Sequence, residues 1–237
     1  MRGPSGLSVR NVAVVAHGGA GKTSLVEAMV FNTGATTRLG RVEDGTTVAD
    51  YHPEEIHRHV TIHTSLVPVE WQGVKINLLD TPGYADFIGE VHAALRVADG
   101  ALFVICGVAG VEVQTEVIWA STPPAFPRLV FINKLDRENA SFEKALESLR
   151  GKFGNAFVPL QIPIGAAETF QGVVDLITRT AYRYADGKVE AGPVPPELAD
   201  AVDAHREKLV EAAAENDDEL LTRYLEGEEL TNEEIVA

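Results

Sequence analysis

A chain of 237 residues can bury a real core as one large domain, or as a domain with a sizeable insertion. Its 45% hydrophobic and 23% charged residues exclude a disordered or fibrous chain, and its single cysteine, Cys106, excludes an internal disulfide and points to a reducing cytoplasm. Residues 1–10 lack the apolar stretch of a signal peptide, and the longest apolar run, residues 101–111, is glycine-broken and too short to span a bilayer, so a soluble cytoplasmic protein with no membrane partner is expected.

The net charge of −15 is uneven. From Asp186 onward sixteen acidic and four basic residues give −12, which leaves −3 for the rest. Such a region disfavours sequence-specific nucleic-acid binding. It reads either as the solvated face of an acidic helical subdomain or as a surface for a basic partner.

In chain order, residues 11–16 form a short apolar run that ends in a glycine-rich turn, and residues 22–32 read as a helix. Leu25, Val26, Met29 and Val30 give that helix one apolar stripe. Residues 34–59 show no sustained periodicity and carry many Gly, Thr and His, the mark of a long functional loop. Two strands, 64–71 and 74–79, flank Gln72-Gly73 as a hairpin. A helix over 86–98, a strand over 100–106 and a helix over 113–120 follow, the last stopped by Pro123-Pro124. Then come a strand over 129–133 and a helix over 141–150. This alternation predicts an α/β fold, a mostly parallel sheet flanked by helices, with ligands at the carboxyl ends of the strands. Residues 157–164 are strand-like, but Pro159 and Pro163 confine them to an edge or to irregular structure. Beyond Asp186 only helices are expected, over 196–215 and 217–226. The predicted division is a domain over 9–156 and an α+β inserted acidic subdomain over 157–237.

Three short segments carry chemistry. Ala16-His17-Gly18-Gly19-Ala20-Gly21-Lys22-Thr23 lies between a strand and a helix. Small residues there let backbone N–H groups converge on phosphate at a helix N-terminus. Lys22 would reach the β and γ phosphates, and the Thr23 hydroxyl would ligate magnesium. The general P-loop pattern begins with glycine where this chain has Ala16. Asp80-Thr81-Pro82-Gly83 directly follows an apolar strand. A carboxylate at a strand end can hold magnesium through water, and a glycine N–H can reach the terminal phosphate; alone, the Pro-Gly pair is an ordinary turn. Asn133-Lys134-Leu135-Asp136 follows the next parallel strand. Guanine presents two adjacent donors that one carboxylate can accept, which makes Asp136 the residue that selects guanine over adenine. A charge-assisted hydrogen bond contributes about 1.5–3 kcal/mol, so losing it should cost about one to two decades in affinity.

Together these segments resemble the translational GTPases, most closely bacterial elongation factor G and its elongation-factor-G-like paralogues. Asp86-Phe87 and Arg137 extend the match. So do Pro163-Ile164-Gly165-Ala166, Phe170-Gln171-Gly172-Val173-Val174-Asp175-Leu176, which is similar to the start of that family's extra subdomain, and Tyr224-Leu225-Glu226-Gly227-Glu228-Glu229. The resemblance runs from about Val9 onward and implies a P-loop GTPase fold, GTP or GDP with Mg²⁺, and ribosome-stimulated hydrolysis of GTP. It implies nucleotide contacts from Ala16, His17, Gly18, Gly19, Ala20, Gly21, Lys22, Thr23, Ser24, Asp80, Thr81, Pro82, Gly83, Asn133, Lys134 and Asp136. Metal ligation falls to Thr23, Thr61 and Asp80, and the catalytic positions are Lys22, Gly83 and Tyr84. Periodicity alone does not choose Thr61 over Thr64 within the mobile first switch, residues 34–63. The extra subdomain of that family faces the ribosomal stalk, which offers the acidic helices a basic partner.

Three departures accompany the match. Tyr84 stands where the family has a histidine that helps position the attacking water, and a phenol carries no positive charge. Slower or differently triggered hydrolysis is expected from it, or a nucleotide-gated ribosome-binding module that hydrolyses little. Gly19 replaces an aspartate that helps hold a monovalent cation, so little potassium dependence is expected. The family places one more strand and a guanine-packing loop after the extra subdomain, whereas this chain ends at Ala237 just after the capping box of Thr231 and Glu234. That ending reads as a truncated product, with a subdomain incomplete at its C-terminal end and lower nucleotide affinity; the alternatives are an inactive truncated fragment, or Ile164-Gly165-Ala166 as the guanine-packing loop. His52, His57, His59 and His63 cluster within the switch as exposed loop histidines or, alternatively, as transition-metal ligands. His17 reads as loop-shaping, Glu112 and Gln114 receive no role, and Trp71 and Trp119 read as packing residues.

Overall fold

The computed structural model describes residues 8–185 and 188–236. Most of the signal-peptide reading of residues 1–10, and both ends of the acidic region at Asp186 and Ala237, lie outside the described residues. The chain forms two compact units, one ending at Lys134 and the other beginning at Leu135.

In the first unit, β1 (Ser8–Val15), β2 (Ser65–Trp71), β3 (Val74–Asp80), β4 (Gly100–Cys106) and β5 (Arg128–Asn133) make one sheet in the order β2-β3-β1-β4-β5. All neighbours run parallel except β2 and β3, which form an antiparallel hairpin with Gln72-Gly73 at its tip. Strand β4 and residues 12–15 of β1 are apolar because both of their faces are covered. Along β1 the side chains alternate: Val14 joins one core with Val26 and Val30 of α1 (Lys22–Asn32). Ala13 and Val15 join the opposite core with Val91 and Ala94 of α3 (Ile88–Val97) and Ile118 of α4 (Val113–Ala120). The stripe of Leu25, Val26, Met29 and Val30 packs as expected, into the first of these cores.

The stretch 34–59 departs from the expectation of a continuous loop. It contains a short helix, α2 (Pro53–Arg58), capped by the His52 ring, opened by Pro53 and closed by left-handed His59. Histidine is an unusual N-cap, so the usual start signal is absent from the sequence. Trp119 packs on Phe103 with ring centroids 4.9 Å apart, as a core residue should. Trp71 instead ends its strand half-exposed, so it is not a packing residue.

In the second unit, β6 (Gln161–Ile164), β7 (Gly172–Asp175), β8 (Thr180–Ala185) and β9 (Lys188–Gly192) form an antiparallel meander. β6 lies at its edge, where Pro163 is tolerated. Strand β9 corrects the expectation of helices only beyond Asp186; its residues are mostly exposed, so it lacks the apolar alternation that identifies a strand. Helices α5 (Phe142–Phe153), α6 (Ala199–Ala214), α7 (Asp218–Leu225) and α8 (Asn232–Val236) complete the unit. Its core gathers Ile162, Val174, Ala181, Val202 and Leu209. The capping box of the last helix is formed: Glu234 N–H donates to Thr231 Oγ1 at 3.2 Å, and Thr231 N–H donates back to Glu234 Oε2 at 2.7 Å.

Candidate functional site

The loop of residues 16–23 leaves the carboxyl end of β1 and enters α1 through Gly21, whose φ of 96° is left-handed. Its carbonyls are held from the protein side. Lys22 Nζ donates to His17 O at 3.2 Å, Lys134 Nζ to Gly19 O at 2.6 Å, and Asn133 Nδ2 to Ala20 O at 2.9 Å. In a trans peptide the N–H points opposite to its C=O, so the amides of Gly18, Ala20 and Gly21 face away from these three side chains. Ala16, His17, Ala20, Lys22 and Thr23 are buried, whereas Gly19 and Ser24 are exposed. Lys22 points inward, not into solvent. Burial lowers its pKa to about 8, opposed by the charges of Asp80 and Asp50.

The second segment docks on this loop. Thr81 Oγ1 donates to Val14 O at 2.7 Å and pins the turn to β1. Asp80 is wholly buried, and among the described residues neither carboxylate oxygen finds a hydrogen-bond partner of good geometry. Burial pushes its pKa up to about 7, opposed by the nearby Thr23 hydroxyl and Lys22 ammonium. Gly83 approaches so closely that a side chain there would overlap Lys22 Nζ and lie 2.8 Å from the backbone N and Cα of Gly18. Only glycine fits. Tyr84, the next residue, lays its ring against Gly18.

Thr61 arrives from the switch segment. Its hydroxyl lies 3.1 Å from that of Thr23 and donates to Asp50 Oδ1 at 2.8 Å. Thr64 instead binds Glu90, through its N–H to Oε2 at 2.7 Å. Of the two threonines that periodicity does not separate, Thr61 is the one that meets Thr23. Two hydroxyls beside a buried carboxylate without hydrogen-bond partners form a hard-oxygen donor set, which fits a magnesium ion.

Several buried acids that the sequence reading missed fasten the switch segment. Asp50 accepts from Thr61, and burial raises its pKa. Glu27 of α1 accepts from Val48 N–H. Glu55, 1% exposed, accepts from His52 N–H at 3.2 Å and from Ile62 and His63 N–H at 2.9 Å each. A lone acid in an aperiodic stretch gives no pattern to read. Only Glu55, three residues after His52 and two after Pro53, carried a helix-start signal. Glu112, given no role from sequence, brings Oε1 to 3.4 Å from Nε2 of buried His17, whose pKa burial lowers. That contact agrees with a loop-shaping histidine. His52, His57, His59 and His63 are all exposed.

The third segment divides between the units. Asn133 and Lys134 brace the phosphate-type loop as described, with Lys134 in left-handed conformation at φ 61°. Asp136 belongs to the second unit, where its side chain is 66% exposed and lies 4.0 Å from Arg137 Nε.

The sequence matches the family model of the elongation factor Tu GTP binding domain over residues 7–230. The fold is similar to a crystal structure of a protein from Thermus thermophilus, with a TM-score of 0.89 and 41% sequence identity. The match covers 96% of this chain and 34% of that one, so the chain spans about a third of the length of that relative. With the phosphate-type loop, the docked Asp-Thr-Pro-Gly turn and a family match over nearly its full length, this chain belongs to the elongation factor Tu-type GTP-binding domains, the GTPase module of translational GTPases.

Proposed function

We propose that this chain is the GTP-binding and GTP-hydrolysing part of a cytoplasmic, ribosome-associated translation factor resembling elongation factor G. In this reading residues 9–156 form the GTPase domain and residues 157–237 an inserted subdomain whose acidic helices face a basic stalk protein. The observation that supports it most is the docking of Gly83 onto Gly18 and Lys22, beside the buried Asp80.

The residues divide the work as follows. Amides of the loop at 16–23 bind the phosphates, and Asp136 selects the guanine base. Lys22 neutralises charge on the β and γ phosphates, and the Gly83 N–H orients the γ-phosphoryl group for in-line attack by water. Thr23, Thr61 and Asp80 would hold magnesium, which when bound would supply neutralisation of phosphate charge. Asp50 orients Thr61 by accepting a hydrogen bond from its hydroxyl. Catalysis in this scheme is positioning and electrostatics, with no covalent intermediate on the protein.

Affinities for GDP and ADP, each with magnesium, test the reading. Strong preference for GDP is expected, and equal affinities would remove Asp136 from its role. A second reading, a nucleotide-gated module that hydrolyses little, is favoured by Tyr84, which offers no imidazole to the attacking water. Single-turnover hydrolysis with and without ribosomes separates the two, and a Tyr84→His variant with an unchanged rate would remove Tyr84 from consideration.

A further inference from the structure

Resting on the nucleotide-binding reading above, we infer that Gly18 and Tyr84 are a matched pair: the glycine is the seat of the tyrosine ring, and the seated ring covers the terminal-phosphate end of the loop and slows nucleotide release. The first support is spatial. A Cβ placed on Gly18 would lie 3.0 Å from Tyr84 Cζ and 3.2 Å from both Cε1 and Cε2, and these ring atoms are its three nearest neighbours. Equal distances to the two Cε atoms put the hydroxyl-bearing end of the ring squarely over the glycine.

The second support is conformational. Gly19 and Gly21 have φ of 76° and 96°, whereas Gly18 is not in the left-handed region. Its backbone therefore does not itself require glycine, and the ring is what crowds a side chain there. The third support is position. Tyr84 is tethered by Gly83, whose backbone is wedged against Gly18 and Lys22, the residue assigned to the β and γ phosphates. Tyr84 is 48% exposed, so the residue rests on the loop while part of it meets water. A half-exposed aromatic that joins neither core cluster of its unit can move aside when its seat is filled. Cover and seat thus act as one unit, and changes to either should be redundant with each other.

Release of a fluorescent GTP analogue from the full chain, with magnesium present, tests this in a four-member cycle of the unaltered chain, Gly18→Ala, Tyr84→Ala and the double variant. Each single change is expected to speed release about tenfold, the equivalent of about 1.4 kcal/mol, and the double no more than either single. Tyr84→Phe keeps the ring and is expected to release at the unaltered rate, which distinguishes a cover from a hydrogen bond made by the hydroxyl. Multiplicative effects in the double variant, or an unaltered rate for either Ala variant, would overturn the pairing. Absence of binding to the unaltered chain would overturn the nucleotide reading and this inference with it. Thermal unfolding midpoints of all variants check that the fold is retained, and Tyr84→Ala carries the test should Gly18→Ala fail to fold.

Discussion

Replacing Glu55 by alanine should loosen the segment that delivers Thr61 while leaving the core intact. The carboxylate accepts three backbone N–H groups, from His52, Ile62 and His63, across seven or eight residues of sequence for the last two. An amide left without its acceptor in a part-buried position costs about 1–3 kcal/mol, and water recovers some of this. Three such losses amount to about 3 kcal/mol of local stability, or about a hundredfold in the local opening equilibrium. Amide hydrogen exchange reads this directly: Ile62 and His63 should exchange about a hundredfold faster, while amides of β1 and β4 keep their protection. Glu55→Gln, which offers one carbonyl oxygen in place of two carboxylate oxygens, should fall between. Unchanged exchange at Ile62 and His63 in Glu55→Ala, or equal acceleration throughout the sheet, would refute the view of Glu55 as a local fastener.

Gly83→Ala should lower single-turnover GTP hydrolysis by about a hundredfold, the scale of losing one aligned oxyanion donor, because its methyl group meets Lys22 Nζ and the Gly18 backbone; a rate near that of the unaltered chain would show that the turn relaxes freely. Thr61→Ala removes the contacts to Thr23 and Asp50 and should weaken magnesium-dependent GTP binding about tenfold with little change for GDP, about 1.4 kcal/mol; titrations of both nucleotides with and without chelator check it, and equal losses would count against Thr61 as a ligand specific to the triphosphate state. In the second unit, hydrogen bonds from Arg223 and then Thr231 hold the Glu234 pKa down at about 2. Because a depressed carboxylate contributes stability above its unfolded value of about 4.3 and loses it as pH falls through the folded value, the tie between α7 and α8 should persist at pH 3 and fail near pH 2; carboxyl carbon NMR showing a midpoint at the ordinary value would refute it.

How much of this was legible in the sequence depended on periodicity and on local motif chemistry. The parallel strands were readable because residues 12–16, 101–106 and 129–132 are apolar runs followed by turn residues, and the helix over 22–32 because its stripe repeats at three and four. The positions of Lys22, Thr23, Asp80 and Gly83 followed from strand-end placement. Asp50 and Glu27 were not legible, since each acts on a hydroxyl or backbone amide far along the chain, and Glu55 carried only a helix-start signal behind an unusual N-cap. Strands β8 and β9 escaped because their exposed, partly charged faces hide the alternation that marks a strand. The room that Gly18 makes for Tyr84 was equally invisible: in a glycine-rich loop, no single glycine announces that its reason is a neighbour's ring.

The attachment of the switch segment has a thermodynamic character of its own. Leu39, Val48, Tyr51 and Ile56 all stand substantially in solvent, while Ala49 reaches the core. The bonds that hold residues 47–64 are chiefly between carboxylates or hydroxyls and main-chain groups, which water replaces nearly one for one. Had the same stretch been anchored by buried leucines, peeling it away would expose apolar area at about 25 cal/mol per Å² and carry a large heat-capacity signature. Fastened as it is, the segment can detach and return with a small heat-capacity change, and its equilibrium should respond more to charge arriving beside Thr23 and Lys22 than to temperature.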